Sequence, residues 1–209
     1  MIDVKKYQVG VLGTNAYVLT DKETNHTAVV DPGFADKKLT EALESAGEGN
    51  VKYILLTHGH FDHIGAVCEY AERFGAKIVI SSPEVPFLTD NSLNLSGRLF
   101  RGLEPCTADV VLEDGDVITL GNTEIRFVLT PGHTQGSGCF VVEEDGVIFS
   151  GDTLFYRSIG RSDLPTGDAQ VFAESIKKLF DLQGDYKVYP GHDRETTLSE
   201  ERVYNPYLV

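Results

Sequence analysis

Short apolar runs recur along the whole chain, and Gly, Pro, Asp or His closes most of them. Alternation of apolar and polar positions predicts strands over 6–11, 16–20 and 27–30, the last ending at Asp31-Pro32-Gly33. Leu39, Leu43 and Ala46 recur at helical spacing and predict a helix over 36–46. The run Tyr53-Ile54-Leu55-Leu56-Thr57 reads as a buried strand, and a helix predicted over 64–74 is stopped by Gly75. A strand over 77–80 then leads through Pro83 and Pro86 into an irregular stretch, 91–107. Farther on, strands are predicted over 117–120, 123–130, 138–143 and 147–150, with Glu144-Asp145-Gly146 as a hairpin turn. A loop over 153–167, a helix over 168–182 and a strand over 186–189 complete the series.

Both halves thus run strands, then helix, then strand, with no Gly/Ser linker between them. The pattern predicts a single domain over 1–209. Two sheets packed face to face, with helices on both outer faces, would bury all of these strands. The stretch 91–107, with Arg98, Phe100 and Arg101, is read either as a cover for a substrate cleft or as a crossover between the halves.

The chemistry sits at the strand ends. Five of the six histidines fall in short motifs directly after predicted strands: His58-Gly59-His60-Phe61-Asp62-His63, Pro131-Gly132-His133 and Pro190-Gly191-His192. Gly151-Asp152 follows another such strand. Strands of one sheet end at a common edge, so these side chains can converge although they are far apart in sequence. Imidazole nitrogens and carboxylate oxygens are what a divalent transition metal binds. Alternate residues of an extended loop share a direction, so His58 and His60 can grip one ion, completed by His133. Asp62, His63 and His192 can hold a second, and the two oxygens of Asp152 can bridge both. Such an all-N/O donor set fits two divalent ions, with zinc the leading expectation and iron or manganese also admitted. His26, in a polar turn, is read as an ordinary solvated histidine.

Composition narrows the partners. A formal net charge of −14 argues against nucleic acid and against an anionic membrane surface, and an anionic substrate would need a local basic contact. Cys68, Cys106 and Cys139 contain no C-x-x-C pair and are expected to be free thiols in a cytoplasmic protein. No apolar segment follows the first residues and no run approaches a membrane span. Oligomeric state is not legible.

Taken with Thr57 before the first cluster, Thr134 after His133 and Ser150 before Gly151, these motifs make the sequence resemble the metallo-β-lactamase-fold hydrolases over nearly its whole length. The resemblance implies an αββα sandwich of two mixed sheets, the two-metal ligand assignment given above, and support of the metal site by Asp31 from behind. Asp152 stands where true β-lactamases of this fold carry Cys or Ser, which argues against antibiotic hydrolysis. Phe149 to Phe155, followed by Ile159-Gly160-Arg161, is similar to the glyoxalase II (hydroxyacylglutathione hydrolase) group, in its short bacterial form. That likeness implies hydrolysis of a thioester such as S-lactoylglutathione to hydroxy acid and thiol, by water activated between the metals. Asp62 and Asp152 would be catalytic, and Arg161 would bind a carboxylate of the thiol. The chain departs from the long enzymes of that group after His192, where it reads Asp193-Arg194 instead of a tyrosine motif. Gly160 to Pro165 is also similar to the persulfide dioxygenases, which implies a mononuclear-iron alternative. A broader hydrolase of lactones or phosphoesters is a third reading.

Overall fold

Two six-stranded sheets organise the molecule. In this computed structural model, which describes residues 1–99 and 102–207, the first sheet takes six strands in chain order: β1 (Ile2–Val9), β2 (Thr14–Asp21), β3 (Thr27–Val30), β4 (Val51–Leu55), β5 (Lys77–Ser81) and β6 (Val110–Leu112). β1, β2 and β3 pair antiparallel, whereas β3 through β6 are parallel. The second sheet is built from β7 (Val117–Leu120), β8 (Thr123–Leu129), β9 (Gly138–Val142), β10 (Val147–Gly151), β13 (Lys187–Pro190) and β14 (Thr196–Thr197), in the order β14-β13-β10-β9-β8-β7. A small hairpin, β11 (Leu154–Phe155) with β12 (Ser158–Ile159), stands apart from both.

The period of two in the sequence sorts each strand's side chains between two cores. Tyr17, Leu19, Val30, Leu55 and Val79 of the first sheet meet Ile125, Phe127, Phe140, Val142, Phe149 and Tyr189 of the second. Phe127 and Phe140 lie 5.3 Å apart in this layer, and Phe149 stacks on Tyr189. Each fully buried side chain of this size contributes roughly 1.5–3 kcal/mol. The intervening residues face outward and are covered by helices. Val18, Val29, Ile54 and Ile80 pack under Leu39 and Leu43 of α1 (Lys37–Ser45) and under Val67 and Tyr70 of α3 (Val67–Phe74). Val128, Val141, Ile148 and Val188 pack under Leu179 of α5 (Ala169–Phe180) and Leu198 of α6 (Leu198–Tyr204). The result is the four-layer αββα sandwich of two mixed sheets. No helix among the described residues is long and apolar enough to cross a membrane.

Local signals fix the helix starts. Asp36 caps α1 by accepting from Lys38 N and Leu39 N, and Asp168 caps α5 by accepting from Gln170 N and Val171 N. Such caps contribute about 1 kcal/mol each. The helix expected over 64–74 is instead two pieces, α2 (Phe61–Ile64) and α3. Ala66 N donates to Pro32 O at 3.0 Å, so the Asp31-Pro32-Gly33 turn captures the backbone where a continuous helix would run.

Two further expectations change. Cys68 of α3 and Cys106 form a disulfide across a Cα–Cα separation of 5.8 Å, so they are not free thiols. Their 38-residue separation hid the pairing, because the chain returns to α3 only after passing through α4 (Ser96–Leu99). Cysteine usage therefore no longer argues for a reducing compartment. Among the described residues only Cys139 is a free cysteine; it is buried, and burial pushes its thiol up to about 11. The described parts of the 91–107 stretch lie between β5 and β6 of the first sheet rather than between the two halves, with Cys106 N donating to Leu88 O and Phe61 N to Asn94 O. Phe100 and Arg101 lie outside the described residues.

Candidate metal centre

Strand direction explains why the motifs meet. β8 and β10 are both antiparallel to β9 and therefore run the same way, and β13 is parallel to β10. Their C-terminal ends deliver His133, Asp152 and His192 to one edge. The parallel pair β3 and β4 of the first sheet delivers Asp31 and the His58–His63 loop to the same place. Gly138 N donates to Thr57 O at 2.9 Å across the seam between the sheets.

All seven residues proposed as ligands converge. Ligand-type atoms of His58, His60 and His133 lie within 4.8 Å of one another, as do those of Asp62, His63 and His192. His58, His63 and Asp152 form a third such group between them. Asp152 spans both sets: its Oδ1 is 3.4 Å from His63 Nε2, and its Oδ2 is 3.6 Å from His133 Nε2 and 3.7 Å from His192 Nε2. His60 Nδ1 faces His133 Nε2 at 3.0 Å. His26, as expected, is remote from the centre, in the turn before β3.

Surrounding groups orient the rings. Asp31 Oδ2 accepts from His63 Nδ1 at 2.9 Å and from Thr57 Oγ1 at 2.6 Å, and Thr57 Oγ1 lies 3.2 Å from His58 Nδ1. His133 Nδ1 donates to the carbonyl of Arg161 at 2.7 Å. Thr14 Oγ1 donates to Asp62 Oδ2 at 3.0 Å. Holding the outer ring nitrogen of a histidine directs the inner lone pair toward a metal. Three inner atoms, His58 Nε2, His63 Nε2 and Asp152 Oδ1, are buried with no hydrogen-bond partner. Buried polar atoms are ordinarily paired, so a cluster of such atoms suits a divalent cation.

The two sets differ electrically. Burial drives His58 far below its ordinary range, reinforced by His63, His133 and His60, and burial with His133 pushes His60 down to about 3. Burial also opposes charge on His63, but the carboxylates of Asp62, Asp152 and Asp31 overcome it and raise that imidazole well above its usual value. His192 is raised likewise, against burial, by its contact with Asp62 and by Asp152. Asp62 and Asp152 are held below the usual carboxylate range, against burial, chiefly by His63.

Arg161 flanks the centre through its backbone, while its exposed guanidinium pairs with Asp163 at 2.6 and 2.7 Å. It also lines a groove of about 940 Å3 beside α5, with Ile159, Phe172, Ile176, Phe180 and Tyr207. Thr14 carried no signal in the sequence, being one polar residue at the foot of a hairpin. Thr57 lay within the quoted motif, but its link to Asp31 needed coordinates.

Known proteins share this arrangement of strands. "Hydroxyacylglutathione hydrolase GloC" of Haemophilus influenzae is 35% identical over 93% of this chain and 92% of its own length. The crystal structure of the BLEG-1 B3 metallo-beta-lactamase superposes with a TM-score of 0.92 at 35% identity, covering 99% of this chain and all of that one. The crystal structure of TTHA1623 in a di-iron-bound form superposes at 0.85 with 32% identity, over 98% of this chain and 100% of that one. The sequence profile described as the metallo-beta-lactamase superfamily matches residues 9–192, which contain every proposed ligand, and the chain belongs to that superfamily.

Proposed function

We propose that the protein is a thioester hydrolase that uses two divalent metal ions, zinc in the first instance. The observation that carries this reading is the set of orphaned ring nitrogens meeting beside a carboxylate that reaches both ligand groups. His58, His60 and His133 would hold one ion, Asp62, His63 and His192 the other, and Asp152 would contact both. Such a pair supplies Lewis acidity that makes water nucleophilic at neutral pH and polarises a carbonyl.

The chain's own residues supply orientation. Asp62, fixed by Thr14, accepts a hydrogen bond from the attacking water and aligns it. Asp152 keeps the two ligand sets at a fixed separation. Asp31 keeps His58 and His63 turned inward. Arg161 receives an anionic group of the thiol arm, and the apolar groove beside α5 leaves room for its body. A thiol of ordinary pKa, about 8.5, leaves readily as thiolate, so no side chain need protonate it. The likeness to GloC supports the thioester, and the cytoplasm is the proposed setting.

A second reading, β-lactam hydrolysis, is favoured by the full-length likeness to BLEG-1. The likeness to a di-iron protein keeps iron in view. The test is metal analysis of protein purified without added metal, with parallel assays on S-lactoylglutathione, a chromogenic cephalosporin, and glutathione persulfide with oxygen uptake. Two equivalents of metal with thioester cleavage are expected. Cleavage of the cephalosporin alone, or one iron with oxygen uptake, would overturn the thioester reading.

A further inference from the structure

Both loops that assemble the three-histidine set are tied to one buried carboxyl outside every motif. Glu84 lies in the 3-10 segment Ser82–Leu88 after β5 and is 0% exposed. Its Oε2 accepts from Gly59 N at 2.7 Å, between His58 and His60. Its Oε1 accepts from Gly136 N at 2.9 Å, in the loop that carries His133. Gly59 follows β4 of the first sheet and Gly136 precedes β9 of the second, so the carboxyl clamps the seam between the sheets.

Neighbours reinforce the clamp. Ser81 Oγ donates to Gly136 O at 2.6 Å, and Gln135 Nε2 donates to Pro83 O at 2.7 Å. Both glycines are points of close approach. A Cβ on Gly59 would run into the side chain of Phe87, and one on Gly136 would lie 2.9 Å from Glu84 Cγ. Burying a carboxyl is costly unless hydrogen bonds compensate it, and no cation pairs with Glu84 among the described residues. Its compensation comes from groups of the two ligand loops, so its position and theirs are mutually fixed.

We infer that Glu84 is a positioning residue that sets the spacing of His58 and His60 against His133, and so the affinity of the three-histidine set for a divalent metal. This rests on the two-metal reading above. The other set is braced separately: Asn15 Nδ2 and Tyr17 OH donate to Pro190 O at 3.0 and 2.7 Å and hold the His192 loop. No hydrogen bond from Glu84 reaches Asp62, His63 or His192 among the described residues. The effect of Glu84 is therefore selective.

The test is Co2+ titration of metal-free full-length protein, followed by visible absorption, with near-UV circular dichroism to verify folding. Glu84→Gln keeps the shape but turns one acceptor into a donor facing a backbone N–H. In a His192→Ala background, where the three-histidine set remains, Glu84→Gln weakens Co2+ binding by about 10- to 100-fold. In a His133→Ala background the same change shifts affinity by less than about threefold, as expected for independent sites. Equal weakening in both backgrounds, or none in either, with an intact fold overturns the assignment. If Glu84→Gln does not fold, Ser81→Ala, which removes only the tie to Gly136 O, must show the same selectivity at about threefold. Failure of the unmutated chain to take up Co2+ would overturn the two-metal reading itself, a result distinct from loss of selectivity.

Discussion

The two halves of the candidate metal centre meet at Asp152 yet differ in how they would receive a cation. His58, His60 and His133 are buried imidazoles, and burial together with mutual repulsion keeps His58 and His60 neutral. Asp62, His63 and His192 form a charged cluster, in which carboxylates raise the proton affinity of two histidines. In one half, His58 and His60 offer lone pairs with no proton to remove. The other offers stronger electrostatic attraction, at the expense of competition with protons. The difference teaches that one edge of a sandwich can build two unlike sites simply by varying the carboxylates beside the rings.

The largest expected effect breaks both halves at once. Asp152→Ala lowers kcat/KM on the order of a thousandfold, roughly 4 kcal/mol of barrier, and lowers metal content with it. Normal turnover in that variant would remove the bridging role. Next come the single-half variants. His133→Ala and His192→Ala each lose one of the two metal equivalents, read by elemental analysis, with activity down roughly a hundredfold. Loss of both equivalents from either would show that the halves are not separable.

Asp31→Asn sharpens the comparison from behind. It weakens metal binding in both sets by about 10- to 100-fold, because Asp31 holds His63 directly and His58 through Thr57. Lowering pH then separates the halves. His63 and His192 have raised proton affinity, so protons outcompete metal there first as pH falls. His58 and His60 have depressed affinity, so their set retains metal to lower pH. Metal retained against dialysis across a pH series should fall in two steps, the upper one absent in His192→Ala. The smallest effect is at the rim. Arg161→Ala raises KM about fivefold for an anionic thioester and little for an uncharged one, since its exposed ion pair with Asp163 contributes only weakly to the fold.

The alternation of Tyr17, Leu19, Phe127 and Phe140 was legible because a strand buried on one face must repeat with a period of two. The predicted helix starts at 36 and 168 coincide with the observed caps Asp36 and Asp168. Elements without period were not legible. β6 and β14 are two or three residues long and are held by longer partners, and the hairpin of β11 with β12 has only two residues in each strand. α6 was also missed, as were the break between α2 and α3 and the Cys68–Cys106 bond, each of which depends on a segment arriving from elsewhere.

The site divides along the same line. The residues proposed as ligands were legible in the sequence because His and Asp recur directly after apolar runs; that the strands before them, drawn from two sheets, end at one place was decided by the tertiary structure. Their electrical character was not legible in the sequence, nor was the role of Glu84. In the sequence Glu84 is one acid between two prolines, indistinguishable from a solvated surface residue. Local patterning determines which face a side chain takes and where a strand stops. Desolvation, proton affinity and the clamping of two loops by one carboxyl depend on what arrives from distant parts of the chain, and only the packed sheets decide that.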